Sequence, residues 1–201
     1  MATNRAKLVL AVIGLIVSPL LATMALADSN SASANQQTIN DYNKAIELNP
    51  KDATAYVNRG LAYKALGNLE QAINDYNKAI ELNPKDAEEY RNRGIAYKVS
   101  GNYQQAMNDY NKAIELNPKD GDEYYNRGNL YKALGNLEQA INDYSKTIEL
   151  EPKDAEAYYN RGVVYQKLGN NDMFIQNLKM SAKLGDEKAR DDLRSKGIEW
   201  H

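Results

Sequence analysis

From residue 36 to the C-terminus, apolar residues recur at three- and four-residue spacings in blocks about fourteen residues long. Short polar breaks carrying glycine or proline separate the blocks. One block, from about Ala53 to Leu66, places Tyr56, Gly60 and Tyr63 at i, i+4 and i+7. The next, from about Leu69 to Leu82, gathers Ala72, Tyr76, Ala79 and Ile80 on one face. That is the period of amphipathic helices, and the pattern predicts an all-α chain. Asp86 with Glu89, and Asn68 with Gln71, have capping-box spacing, while Pro84 marks a stop. A helix pair of this size is too thin to bury a core alone, so successive pairs must stack.

The blocks are copies. NDYNKAIELNPKDA runs from Asn40 to Ala53 and again from Asn74 to Ala87, and NDYNKAIELNPKD returns from Asn108 to Asp120, each 34 residues on. KALGNLEQAINDY at Lys64–Tyr76 reappears at Lys132–Tyr144. Three units carry the same residues in phase: Tyr56, Gly60, Tyr63, Ala72, Tyr76, Ala79 and Pro84; Tyr90, Gly94, Tyr97, Ala106, Tyr110, Ala113 and Pro118; Tyr124, Gly128, Tyr131, Ala140, Tyr144, Thr147 and Pro152. In these positions the chain resembles the tetratricopeptide repeat family. The resemblance implies a right-handed superhelical solenoid of antiparallel helix pairs.

Residues 53–86, 87–120 and 121–154 are then full units. Residues 36–52 match only a second helix (Tyr42, Ala45, Pro50). Its face bearing Ile39, Tyr42, Ala45 and Ile46 is expected to point outward without a partner, which leaves a self-assembling homo-oligomer as the alternative reading. Residues 155–185 form a degenerate fourth unit, with Tyr158, Gly162 and Tyr165 in place but Phe174, Leu178 and Ser181 where alanine, an aromatic and alanine are expected. Residues 186–201 read as a capping helix and tail, with Asp186 as cap, Ala189 and Leu193 inward and Gly197 as stop.

The N-terminus departs from the repeat. Arg5 and Lys7 precede an apolar run, Leu8–Leu21, and Ala25-Leu26-Ala27 is a small-residue cleavage pattern, so residues 1–27 read as a signal peptide and 28–35 as a flexible polar lead-in. The expected destination is periplasmic or extracellular, with membrane tethering by an uncleaved leader as the alternative. Loss of Arg5 and Lys7 takes the formal net charge from -2 to -4. With no basic block, nucleic acid is not an expected partner.

Catalytic chemistry finds little purchase. The single histidine is the terminal His201 and there is no cysteine, so histidine- or thiol-based triads and metal sites have no ligands, and no phosphate-binding glycine loop is present. The acid pairs Glu88-Glu89 and Asp191-Asp192 read as solvated or capping charge. We expect no enzyme activity, no cofactor and no metal.

What remains is a surface. The first helices carry a second stripe beside the packing one: Val57, Leu61, Ala65; Arg91, Ile95, Val99; Tyr125, Asn129, Ala133; Tyr159, Val163, Lys167. In the family this face lines a concave groove for peptides, and a mixed apolar, aromatic and polar lining suits a protein segment. Each unit also repeats Asn-Arg-Gly at Asn58, Asn92, Asn126 and Asn160. In relatives such as the O-linked N-acetylglucosamine transferases, an asparagine here forms a ladder that holds a peptide backbone; the alternative reading is that each amide bonds a neighbouring helix. The paired arginines are expected to stack on core tyrosines. Val57 and Leu61 stand where the family's two-carboxylate clamp needs lysine and asparagine, so that clamp is not expected. Lys64, Lys98 and Lys132 form a basic row at the groove edge that favours acidic segments or a free C-terminus. The function expected is an exported adaptor or scaffold that binds a protein or peptide partner.

Overall fold

The computed structural model describes residues 30–200, and every regular element among them is helical. In chain order these are α1 (residues 30–48), α2 (Ala53–Ala65), α3 (Leu69–Leu82), α4 (Ala87–Val99), α5 (Tyr103–Leu116), α6 (Gly121–Ala133), α7 (Leu137–Leu150), α8 (Ala155–Lys167), α9 (Asn171–Lys183) and α10 (Glu187–Ser195). Their bounds follow local chemistry. Asp52, Asp86, Asp120, Asp154 and Asp186 each accept a hydrogen bond from a backbone N–H of the first turn. Between the two helices of a unit the chain turns on a left-handed glycine: Gly67 has φ +78. The Asn68 N–H donates back to Tyr63 O, closing the Schellman turn that ends α2. Asn68, Asn102 and Asn136 sit at the N-cap with no side-chain capping bond, contrary to the capping-box reading, whereas Asn170 in the same kind of turn accepts from the Met173 N–H.

Each second helix packs against the first helix of its own unit and that of the next. Tyr76 is fully buried among Ala72 and Ala96, with Val57 and Tyr63 beside it, so one ring closes the contact between two units. Gly60 makes room for it: a Cβ there would lie 2.8 Å from Tyr76 Cε1. Tyr110 and Tyr144 repeat the arrangement. The tyrosines of the first helices are mostly only half-buried.

Those rings flank the repeated arginine. Arg93 lies over Tyr90 and Tyr97, donates from Nε and Nη2 to the two Asp109 oxygens at 2.8 and 2.6 Å, and donates from Nη1 to Asn77 Oδ1 on the preceding second helix at 2.8 Å. Arg59 and Arg127 make the same three bonds, to Asp75 and Asn43 and to Asp143 and Asn111. A guanidinium thus ties three helices together in each full unit. The aspartates, which the sequence pattern did not single out, are buried.

The ends differ from expectation at two points. Residues 30–35 belong to α1 rather than to a flexible lead-in; once the packed part of α1 is nucleated, its alanine-containing N-terminal extension adds only propagation steps. The expected residues 1–27 leader lies outside the described residues. Ile39 is buried and Asn43 holds Arg59, so α1 is seated on α2, and the expected outward face is reduced to the half-buried Tyr42, Ala45 and Ile46. At the other end Phe174 and Leu178 are both buried against Ala189 and Leu193 of α10. The alanine-tyrosine pair of the other units has become phenylalanine-leucine, which exchanges small and large positions.

Candidate functional site

Successive first helices α2, α4, α6 and α8 touch one another, while successive second helices make no comparable contact. The first helices therefore lie on the inner side of the curve, and their free stripe lines the concave face. Val57, Leu61, Ile95 and Val163 are half-buried there. The column headed by Arg91 reaches from each unit to an acid of the next. Arg91 Nη1 lies 3.5 Å from Asp120 and Asp122 and 3.3 Å from Glu123. The Tyr125 hydroxyl donates to Glu156 Oε2 at 2.8 Å, and that of Tyr159 to Asp192 Oδ2 at 3.1 Å. These acids were not legible as partners because they stand 29 to 33 residues away.

The four asparagines do not present a uniform column of free amides. Asn58 lines a cleft with Asn35, Thr38, Tyr42 and Leu61. Asn92 is buried, and its Nδ2 is sealed from solvent without a partner. Asn126 donates to Asp122 O of its own helix, and Asn160 donates to the Tyr125 hydroxyl while accepting from Lys132 Nζ at 2.6 Å. Asn129 also turns inward and accepts from the buried Tyr144 hydroxyl. The identical sequence motif yields different placements because the neighbour at the Tyr125 position changes from unit to unit.

Lys64, Lys98 and Lys132 are half-buried, and desolvation lowers the pKa of each; the Lys167 and Lys98 charges lower that of Lys132 further. None of the three forms an ion pair among the described residues. A row of partly desolvated cations without counter-charges is a receptive surface for carboxylates.

Two acids are buried, and one of them, Glu89, was expected to be solvated or to cap its helix. Glu89 and Glu123 occupy the place of Ala55 and Ala157, and burial raises each carboxyl to about 7. One oxygen of each is sealed from solvent without a partner, so as placed it has no route to a bound substrate. Asp120, Asp122 and Glu151 bring carboxylate oxygens within 4.8 Å of one another. Arg91 supplies the positive charge beside the two aspartates, and the Gly121 N–H donates to Glu151.

Family models described as TPR repeat match residues 34–67 and 128–169, and those described as tetratricopeptide repeat match 53–86, 87–120, 109–142 and 155–184. The chain belongs to the tetratricopeptide repeat family. No curated protein matches it in sequence. Among solved structures, a crystal structure of MamA is 29% identical, with 76% of this chain and 89% of that chain covered and a TM-score of 0.68. The first TPR of Spaghetti (RPAP3), bound to the HSP90 peptide SRMEEVD, is 32% identical over 58% of this chain and 93% of its own, with a TM-score of 0.56. The Cut9–Hcn1 hetero-tetramer structure, 18% identical with a TM-score of 0.68, shares the fold; 29% of that chain is covered. Tetratricopeptide repeats are typically non-catalytic interaction modules, and the fold is that of a protein-binding scaffold.

Proposed function

We propose that the chain is an exported adaptor whose concave face receives an acidic polypeptide segment. The observation that carries the reading is the row of Lys64, Lys98 and Lys132, half-buried and without ion pairs, beside the half-exposed apolar stripe of Leu61, Ile95 and Val163. An extended segment alternating acidic and apolar side chains meets both rows at once. The peptide held by the RPAP3 repeat carries three acidic residues among seven, which is in keeping with such a partner. The export reading rests on the charge and hydrophobic pattern of residues 1–27. Asparagine laddering contributes little, since three of the four amides are sealed or already bonded.

Fluorescence anisotropy with a labelled peptide of alternating leucine and glutamate tests the groove. The native chain is expected to bind it and to ignore the leucine-lysine counterpart. Lys64→Glu with Lys98→Glu is expected to weaken binding at least about tenfold, or 1.4 kcal/mol, with helical circular dichroism unchanged. Equal affinity for both peptides, or no effect of the charge reversals, refutes the reading.

A further inference from the structure

A second surface lies on the fourth unit, away from the concave stripe. Tyr158, Arg161, Met173, Asn177, Met180 and Lys183 surround a cleft of about 400 Å³ between α8 and α9. In the three full units the corresponding place is closed by charge: each arginine pairs with an aspartate, and the second helix carries a lysine-glutamate pair such as Lys78–Glu81 one turn further on. The fourth unit keeps the arginine and departs at the positions around it. Asn177 stands in the place of Asp75, Lys179 of Asn77, Met180 of Lys78 and Lys183 of Glu81. Those four positions carry a net charge of -1 in the first unit (Asp75 and Glu81 against Lys78) and +2 in the fourth (Lys179 and Lys183).

Arg161 stays where its counterparts are but has lost its counter-ion. Its Nε donates to Asn177 Oδ1 at 2.9 Å and its Nη1 to Ser145 Oγ at 3.0 Å; no ion pair reaches it among the described residues. Asn177 turns its own Nδ2 to Met173 O, so the amide offers nothing to Nη2, which in the other units donates to the aspartate. Burial lowers the Arg161 pKa, whereas the three paired arginines are raised. An uncompensated, half-buried guanidinium is costly to keep unless something neutralises it.

We infer that this cleft is a second protein-docking site, which takes a carboxylate side chain of a partner polypeptide on Arg161, Lys179 and Lys183, with an apolar neighbour resting on Met173 and Met180. Charge complementarity selects the partner chemistry, and the exposed Met180 with the Tyr158 ring gives the apolar part of an amphipathic segment a place to lie. The surface shares no residue with the lysine row of the groove, so the two sites stand or fall separately.

The variant Asn177→Asp tests it, because it restores the arginine-aspartate pair that three other units already fold with. With the chain ¹⁵N-labelled, the Arg161 Nε–H resonance is followed during titration with the leucine-glutamate peptide, with its leucine-glutamine counterpart, and with inorganic phosphate. The expected result is a saturating shift with the acidic peptide only, reduced at least tenfold in affinity by Asn177→Asp and by Lys179→Asn with Lys183→Glu, and unaffected by Lys64→Glu with Lys98→Glu. An unmoved resonance, an equal response to the glutamine peptide, or saturation by phosphate with none by the acidic peptide overturns the assignment.

Discussion

Asp109→Ala is expected to destabilise the array by about 3–5 kcal/mol, the usual cost of removing one partner of a buried pair. Arg93 would keep Asn77 and its two tyrosine rings but lose both carboxylate bonds, and its charge would be left among groups that cannot neutralise it. Because the guanidinium joins α3, α4 and α5, the damage falls on the contact between the first and second units as well as inside the second. Asp109→Asn should cost clearly less, since the fourth unit holds Arg161 with an asparagine and a serine. Urea denaturation followed by circular dichroism separates these cases; a loss of under about 1 kcal/mol for the alanine variant would place the arginine network among surface ion pairs.

Stability is expected to fall as pH rises from about 5 to 8. The folded carboxyls of Glu89 and Glu123 titrate at about 7 against an ordinary value of 4.5. Between those values the folded chain holds protons that the unfolded chain has released, so folding is favoured at the acid end and loses that advantage through pH 7. At one pKa unit per 1.36 kcal/mol, the penalty at pH 8 is on the order of 3 kcal/mol per site. Desolvation is the main cause at both; Arg91 opposes it at Glu123. Glu89→Ala installs the residue that Ala55 and Ala157 provide in the other units. It is expected to raise stability at pH 8 by about 2 kcal/mol, allowing for some loss of packing, and to do little at pH 5. A variant whose gain is the same at both pH values would show that Glu89 is not protonated in the fold.

The helices and their stacking were legible because the pattern is written several times over. A glycine opposite a tyrosine at Gly60 and Tyr76 recurs at Gly94 and Tyr110, and the helix bounds fall where the aspartates and prolines put them. What was not legible is contact between helices. Asp75, Asp109 and Asp143 sit beside a core tyrosine in each NDY motif, yet nothing local says that they meet an arginine sixteen residues earlier. Glu89 beside Asp86 looks like a capping residue; the alanines at the same place in the first and fourth units were the available sign that the position is buried. The asparagine column is not uniform for the same reason. Four identical motifs face four different neighbours, and the neighbour decides whether an amide is free.

The inner face formed by the first helices is expected to receive an acidic polypeptide. Photo-crosslinking compares it directly with the outer face. Benzoylphenylalanine replaces Ile95 on α4 in one variant and the exposed Glu115 on α5 in another, and each is irradiated with the labelled leucine-glutamate peptide. A crosslinked product is expected from Ile95, suppressed by Lys64→Glu with Lys98→Glu, and none from Glu115. Equal yields from the two positions, or a product from Glu115 alone, would contradict it.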